Sequence, residues 1–348
     1  MSQQVDVILT NDVVSLRLEY GRECQRIGDR LQSFLAPAFH ASDGSAAVDF
    51  ALSLREFRIF PPRLLELCTR DVCARRSPKA MFDLSLRVYE RDNIRVGVDV
   101  YTETAFSVDL TTGAVIAYIG DKSFIHLIEF IRYGALLLEE ARGTVLLHAS
   151  AVIGRDGVVP VIGAKGAGKT TTLFKLVHEA GLQFFTGDKL LLRAPPDPVR
   201  AWPDYPHVGI GTLKGFPALA QELGVQPHCE DGGLKPDDYK ELIDPQRFAA
   251  AMRSAETGRC WRIASVIFPE IGAGVAEISR VPEEAKNIGS LAAFVEYPFE
   301  FTPGHWHGLF AAATRTARLF DPAVLQPLLA APWYRLRGTA SLQSVILA

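Results

Sequence analysis

Residues 158–170 read VVPVIGAKGAGKT, and this segment predicts the fold of the second half of the chain. It contains the pattern GxxxxGK[ST], in which an apolar strand runs into a glycine-rich loop and then into a helix. Glycines let the loop backbone curl so that successive N–H groups point at phosphate oxygens. The following helix directs the positive end of its dipole at the same anion. The stretch therefore predicts a nucleotide phosphate site.

The predicted nucleotide-binding residues belong to this loop and to the start of its helix. The side chain of Lys169 can reach the β- and γ-phosphates and the hydroxyl of Thr170 can bind Mg²⁺, so ATP and Mg²⁺ are the expected ligands. Lys165 is either a further phosphate contact or a solvent-facing side chain. No guanine-reading NKxD sequence is visible, which favours ATP over GTP. The full predicted set is Gly163, Ala164, Lys165, Gly166, Ala167, Gly168, Lys169, Thr170 and Thr171.

A carboxylate follows the loop at the distance of one helix and one strand. Residues 183–189 read QFFTGDK, and Asp188 comes 18 positions after Thr170, so the chain can return it to the side of the loop. Asp188 can bind Mg²⁺ together with Thr170, accept a proton from the phosphoryl acceptor, or do both. The alternative is an aspartate in a turn after an apolar strand. Position alone leaves these roles open.

A histidine precedes the loop. Residues 145–152 read VLLHASAV, which places His148 in an apolar, strand-like segment. A lone histidine in such a strand is either a hydrogen-bonded structural residue or a catalytic group.

These three pieces together resemble one protein family. The segments LLHASAV, GAKGAGKT and FFTGDKLLL, in that order within residues 144–193, are similar to the catalytic domain of HPr kinase/phosphorylase and its relatives. That fold also resembles the nucleotide-binding part of phosphoenolpyruvate carboxykinase. The resemblance implies that His148 is an active-site histidine, that Lys169 binds phosphate and that Thr170 binds the metal. The catalytic residues it implies are Asp188, His148 and Lys169.

The chain departs from that family in two respects. The family usually has two adjacent aspartates after the helix, whereas this chain has Gly187 and Asp188 or, shifted by one position, Asp188 and Lys189. The glycine- and asparagine-containing signature of the bifunctional enzymes has no counterpart between residues 197 and 348. The N-terminal half does not resemble their regulatory domain. We therefore expect a dedicated kinase that does not act on HPr.

Composition excludes several other classes of protein. The chain has 348 residues, 48% of them hydrophobic and 22% charged, which is typical of a globular protein with two domains. With a net charge of −3, the chain has no overall positive potential that would attract nucleic acid or an anionic membrane. Five scattered cysteines form no CxxC pair and are typical of a reducing compartment. Because the N-terminus lacks a signal peptide and no apolar stretch reaches 18 residues, we expect a cytoplasmic protein.

Periodicity predicts an α+β organisation overall, with a domain boundary near residue 143. Residues 1–143 are predicted to form a smaller α+β domain. Its role is open between recognition of a leader peptide, substrate or partner, contact between subunits of an oligomer, and closure over the site. Residues 144–348 form the P-loop α/β catalytic domain. The predicted helices are 20–35, 124–138 and 170–180. The predicted strands are 96–101, 105–110, 115–118, 144–152, 158–162, 183–186, 264–268, 333–336 and 344–347. The predicted loops are 194–207 and 227–240.

Candidates for the acceptor site are cationic. They are either clamps on the transferring phosphoryl group or solvated charges: Lys235, Lys240, Arg247, Arg259 and Arg262. The sequence His305-Trp306-His307 is either a metal site or a packing feature, and the absence of a neighbouring Cys, Asp or Glu favours packing.

Three functions fit these observations. The first is an ATP-dependent kinase that transfers the γ-phosphoryl group to a hydroxyl of a small metabolite or of a peptide Ser or Thr. The second is a non-catalytic ATP-sensing module that recruits a partner through residues 1–143. The third, a nucleotide-hydrolysing switch, is disfavoured because the strand around Val266-Ile267-Phe268 runs into Pro269 where such proteins place an aspartate. A homo-oligomer is compatible with any of them.

Overall fold

The computed structural model describes residues 4–44, 47–77, 82–194, 199–226, 228, 233–255, 261–272, 277–297, 306–309 and 321–338. These residues form two compact units. The first contains the described residues up to 143 together with Tyr297 and 306–309. The second contains the described residues from 144 to 296 and 321–338.

Residues 306–309 correct the domain assignment made from the sequence, which placed them in the second domain. The ring of Trp306 packs on Phe106 and Phe130 of the first unit, with centroid separations of 5.9 and 6.5 Å. Its ring also occupies the space beside Gly97, where a Cβ atom would lie 2.8 Å from the indole. Aromatic packing therefore brings this segment back to the first unit.

The described residues of the first unit form nine strands and three α-helices. Its strands are β1 (Val5–Thr10), β2 (Ser15–Tyr20), β3 (His40–Ala41), β4 (Phe50–Glu56), β5 (Arg70–Ser77), β6 (Phe82–Arg91), β7 (Ile94–Asp99), β8 (Thr104–Asp109) and β9 (Ala114–Ile119). Its helices are α1 (Gln25–Leu35), α2 (Pro62–Leu67) and α3 (Phe124–Ala141). The strands form one mixed sheet in the order β3-β1-β2-β4-β9-β8-β7-β6-β5. Only the pairs β2–β4 and β4–β9 are parallel.

The structure confirms the helix at α1, the meander β7–β8–β9 and the helix α3. Leu16 and Leu18, just before the predicted helix 20–35, lie on β2, a strand that was not predicted from the sequence. Both are fully buried, and the next buried residue of that strand is Tyr20. This spacing of two is the period of a half-buried strand.

In the second unit, the part of the chain that the structure describes forms eleven strands and six α-helices. Its strands are β10 (Val145–Gly154), β11 (Gly157–Ile162), β12 (Gln183–Thr186), β13 (Lys189–Leu192), β14 (Val199–Ala201), β15 (His207–Gly209), β16 (Lys240–Leu242), β17 (Val266–Glu270), β18 (Glu277–Arg280), β19 (Val295–Glu296) and β20 (Trp333–Arg337). Its helices are α4 (Lys169–His178), α5 (Ile210–Lys214), α6 (Pro217–Glu222), α7 (Pro245–Ala251), α8 (Ile288–Ala292) and α9 (Gln326–Ala330).

The long strand β10 organises the sheet of this unit. The main path of the sheet is β14-β13-β10-β11-β17-β20-β18, and β12 and β19 also pair with β10. The first half of β10 pairs with β13 and β19, while its second half pairs with β11 and β12. The pairs β11–β17 and β17–β20 are parallel. A separate ladder joins β15 to β16.

Residues on the two faces of β10 belong to two different hydrophobic clusters. Val145, Leu147 and Ala149 belong to a cluster on one face of the sheet. Val152 belongs to the opposite cluster, which includes Leu173, Phe174, Leu176 and Val177 of α4. Successive residues of a strand point to opposite faces. The even-numbered residues of β10, including His148, therefore lie on the face that carries α4.

Most predicted elements of the second half are confirmed. Strands β10, β11, β12, β17 and β20 and helix α4 lie where they were predicted, within a few residues. The predicted loop 194–207 is wrong in part, because Val199–Ala201 forms β14 on β13. Residues 227 and 229–232 of the predicted loop 227–240 and all of the predicted strand 344–347 lie outside the described residues.

Both units combine helices with a large mixed sheet, which agrees with the expected α+β class. Within the described part of the chain, no helix has the length and apolar character that crossing a bilayer requires.

Candidate functional site

The glycine-rich loop, residues 163–170, connects β11 to α4 and lies at the end of β11. Gly166 and Gly168 have φ angles of +86° and +98°, a backbone region that favours glycine. A Cβ atom on Gly168 would lie 2.2 Å from Cγ1 of Ile271. The Ile271 amide in turn donates a hydrogen bond to the carbonyl of Ala167, at 3.2 Å. Strand β17, which ends just before Ile271, therefore supports the loop from the side.

The predicted nucleotide-binding residues all lie on this loop and on the first turn of α4. Ala164, Lys165 and Gly166 are exposed, and residues 167–171 are half-buried. The bond from the amide of Thr172 to the carbonyl of Gly168, at 2.9 Å, spans the first turn of the helix. The preceding helical amides have no intrahelical acceptor, as at any helix N-terminus, so they can serve an anion.

Lys169 lies where its charge can reach a bound phosphate. Its Nζ donates a hydrogen bond of 2.7 Å to the carbonyl of Gly163. Burial lowers the pKa of Lys169, and the positive charge of Lys240 lowers it further, while the carboxylates of Asp188 and Glu296 oppose this shift. The lysine is therefore close enough to both carboxylates for their charges to act on it.

Asp188 lies in the short connection between β12 and β13. The amide of Ala149 donates to the carbonyl of Asp188 at 3.1 Å, and the hydroxyl of Ser150 donates to the carbonyl of Gly187 at 2.6 Å. These bonds hold the connection against β10. The side chain of Asp188 is 34% exposed and accepts no hydrogen bond from any described residue. Its carboxylate is therefore available to a metal or a substrate.

His148, Lys189 and Glu296 form a connected cluster beside Asp188. His148 Nδ1 lies 2.8 Å from Glu296 Oε1, and Lys189 Nζ lies 2.9 Å from Glu296 Oε2. Asp188 is more distant, at 3.6 Å from His148 Nδ1 and 3.9 Å from Lys189 Nζ. A separation of 3.6 Å is too long for a hydrogen bond. Glu296 is thus the carboxylate that forms a hydrogen bond with the histidine, and Asp188 has only longer charge contacts with His148 and Lys189.

Glu296 is the site residue that the sequence analysis missed. It comes from the two-residue strand β19, which pairs with Leu146 and Leu147 of β10, 148 positions from His148 in the chain. Burial raises the pKa of Glu296, but the hydrogen bond with His148 and the charge of Lys189 outweigh that effect and lower it. The carboxylate is therefore ionised at neutral pH. Its only sequence signal was a glutamate among apolar residues, in FVEY.

Two of the cationic candidates have structural partners. Lys235 Nζ pairs with Glu241 at 2.7 Å. Arg247 donates to the carbonyl of Leu223, at 3.3 Å. Lys240 forms no ion pair with a described residue, and it acts on Lys169 through its charge. Lys240 is therefore the candidate of this group that remains available to an anion.

The remaining candidates lie away from the site or outside the described residues. Arg262 contacts Asp156 at the turn between β10 and β11, at the end of β11 opposite the loop. His307 is buried and packs on Phe130, with a centroid separation of 5.0 Å, which supports packing over metal binding. His305 and Arg259 lie outside the described residues. The described residues contain no group of three or more His, Cys, Asp or Glu side chains that could hold a metal.

No protein-family model matches the sequence, and no curated protein matches it either.

Proposed function

We propose that the second unit is an ATP-dependent kinase related to the HPr kinase and phosphoenolpyruvate carboxykinase group. It transfers the γ-phosphoryl group of ATP to a hydroxyl of a small molecule or of a peptide Ser or Thr. One observation carries this proposal. The carboxylates of Asp188 and Glu296 act through their charges on Lys169 of the glycine-rich loop, and Glu296 also binds His148.

Binding of the triphosphate is supported by the glycine-rich loop. The loop amides and the N-terminus of α4 supply hydrogen-bond donors and positive potential, and Lys169 supplies a full charge. On binding, the Lys169 ammonium exchanges the carbonyl of Gly163 for phosphate oxygens. Donors fixed before the reaction stabilise charge on the transferring group without reorganising, which is the main requirement of phosphoryl transfer.

The residues present fit Mg²⁺ as the accompanying ion. Thr170 lies in the first turn of α4, half-buried, and Asp188 offers a carboxylate that accepts no hydrogen bond from the described residues. A hydroxyl and a carboxylate, with phosphate oxygens, are the ligands that Mg²⁺ uses in nucleotide sites. When bound, Mg²⁺ neutralises charge on the phosphates.

The proposal is tested with γ-labelled ATP, Mg²⁺ and the full chain, incubated with a cell extract separated by size. Lys169→Met and Asp188→Asn remove the phosphate contact and the free carboxylate. Asp156→Asn is the matched control, since this exposed aspartate lies at the far end of β11. We expect label in one fraction with the wild type and the control, and none with the other two variants.

Label in the small-molecule fraction identifies a metabolite kinase, and label in the peptide fraction identifies a side-chain kinase. If the wild type binds ATP but labels nothing in either fraction, the kinase proposal fails. That result favours the ATP-sensing module instead.

A further inference from the structure

We propose that His148, positioned by Glu296, takes the proton of the acceptor hydroxyl, while Asp188 does not. This inference rests on the proposed kinase function. It assigns separate roles to the two carboxylates of the site, and it makes Glu296 a positioning residue that acts through the histidine.

The hydrogen bond with Glu296 fixes the tautomer of His148. Glu296 is ionised, so both of its oxygens can only accept hydrogen bonds. The contact of 2.8 Å between Oε1 and Nδ1 therefore requires the proton of the histidine to lie on Nδ1. In the neutral ring, Nε2 then carries a lone pair. No described residue forms a hydrogen bond with Nε2, so the lone pair is available to an incoming hydroxyl.

Neighbouring groups fix the orientation of His148 and Glu296. The backbone amide of His148 donates to the carbonyl of Phe294 at 2.8 Å, in the segment that leads into β19. The side chain of Glu296 is held at its other oxygen by Lys189, which is only 9% exposed. Lys189 therefore holds Glu296 in place, and Glu296 holds the ring of His148. A base oriented by a third group is the arrangement that proton transfer in active sites requires.

The carboxylate of Asp188 differs from that of Glu296 in its exposure and in its contacts. The Asp188 carboxylate is 34% exposed, and its oxygens lie 3.6 Å from His148 and 3.9 Å from Lys189, so no described side chain orients it by a hydrogen bond. A carboxylate that no hydrogen bond orients is suited to be a metal ligand, because a bound ion fixes its orientation. His148 lies on the face of β10 that carries α4, which is the face where the loop continues into its helix.

The chemical step balances without any further reagent. The hydroxyl oxygen of the acceptor forms a bond to the γ-phosphorus, and the bond from that phosphorus to the β,γ-bridging oxygen breaks. ADP leaves with the bonding electron pair. The hydroxyl proton passes to Nε2 of His148 and from there to solvent.

The first experiment determines which nitrogen of the His148 ring carries the proton, and it does not depend on phosphoryl transfer. Nitrogen-15 NMR of the full chain with labelled histidine, assigned by the loss of one signal in His148→Ala, reports which ring nitrogen carries the proton. We expect the Nδ1–H form in the wild type and a shift toward the Nε2–H form in Glu296→Gln. An Nε2–H ring in the wild type overturns the proposal, whatever the protein does with ATP.

The second experiment measures label transfer to the acceptor fraction found with the wild type. We expect His148→Ala and Glu296→Gln to lower kcat roughly 100-fold or more, with little change in the KM for ATP. Added imidazole restores part of the activity of His148→Ala and none of that of Asp188→Asn. Asp156→Asn again serves as the control for folding and handling.

The outcomes separate this inference from the proposed function. If the wild type transfers label and His148→Ala retains full kcat, the assignment of the base is wrong and the kinase proposal stands. The same holds if imidazole restores Asp188→Asn and leaves His148→Ala inactive. If the wild type transfers no label to any fraction, the kinase proposal fails and this inference falls with it.

Discussion

Replacing Gly168 by alanine tests the fit between the glycine-rich loop and β17. The substitution has two costs. Alanine in the left-handed backbone region, at a φ of +98°, costs about 1–2 kcal/mol. In addition, its Cβ atom would lie 2.2 Å from Cγ1 and 2.5 Å from Cβ of Ile271, so the isoleucine must move as a whole. Overpacking of this kind costs about 1–3 kcal/mol, so we expect a total loss of about 2–5 kcal/mol.

Gly181→Ala separates these two costs. Gly181 follows α4 with a φ of +72°, and no atom lies within 4 Å of the position of its added Cβ. This control therefore carries the backbone cost alone, about 1–2 kcal/mol. A second variant, Gly168→Ala combined with Ile271→Ala, removes the steric overlap but leaves the backbone cost and adds a cavity.

Urea unfolding followed by tryptophan fluorescence gives the free energy of unfolding, and isothermal titration gives the affinity for Mg·ATP. We expect Gly168→Ala to lose more stability than Gly181→Ala and also to lose nucleotide affinity, because the displaced loop amides no longer converge on the phosphates. Gly181→Ala should retain its affinity. Equal losses of stability in the two single variants would show that Ile271 does not restrict the side chain at position 168.

Three further predictions concern other parts of the chain. Although burial raises the pKa of Asp99, hydrogen bonds from His126 and Thr102 lower it to about 2. Ionised Asp99 therefore contributes about 1–2 kcal/mol to the free energy of unfolding above about pH 4, and this contribution is lost as the pH falls toward 2. Between pH 5 and 2, the free energy of unfolding from urea titrations should therefore fall by about 1–2 kcal/mol less in Asp99→Asn than in the wild type. Asp244 caps α7, so Asp244→Ala should lower the free energy of unfolding by about 1 kcal/mol, with unchanged ATP affinity. Leu147→Ala, at a fully buried position of β10, should cost about 2–5 kcal/mol, measured in the same way, and a cost below 1 kcal/mol would contradict the assigned core.

The glycine-rich loop and Asp188 could be predicted because their placement follows from local pattern. One strand, one loop and one helix occupy consecutive residues, and the spacing between Thr170 and Asp188 equals the length of a helix and its return strand. The connection that carries Asp188 is held by bonds from the backbone of Ala149 and the hydroxyl of Ser150, which lie next to His148. Local spacing along the chain was therefore enough to identify these residues as candidates for one site.

Glu296 could not be predicted because its position depends on tertiary pairing. A strand of two residues has almost no periodicity, and β19 exists only because it forms hydrogen bonds with a strand 148 positions earlier. The same reason applies to β14, which forms by pairing with β13 at the end of a proline-rich segment. Strand β2, which contains Leu16 and Leu18, was not predicted because a few apolar residues among charges fit a strand as well as a helix.

The most direct test of the proposed site is a crystal structure of the full chain with Mg²⁺ and a non-hydrolysable analogue of ATP. We expect the γ-phosphate to contact Lys169 and the loop amides, and the metal to contact Thr170 and Asp188. Nε2 of His148 should face the γ-phosphate across the space left for a hydroxyl. A nucleotide bound away from the loop, or a metal bound to Glu296 with its contact to His148 broken, would contradict the account.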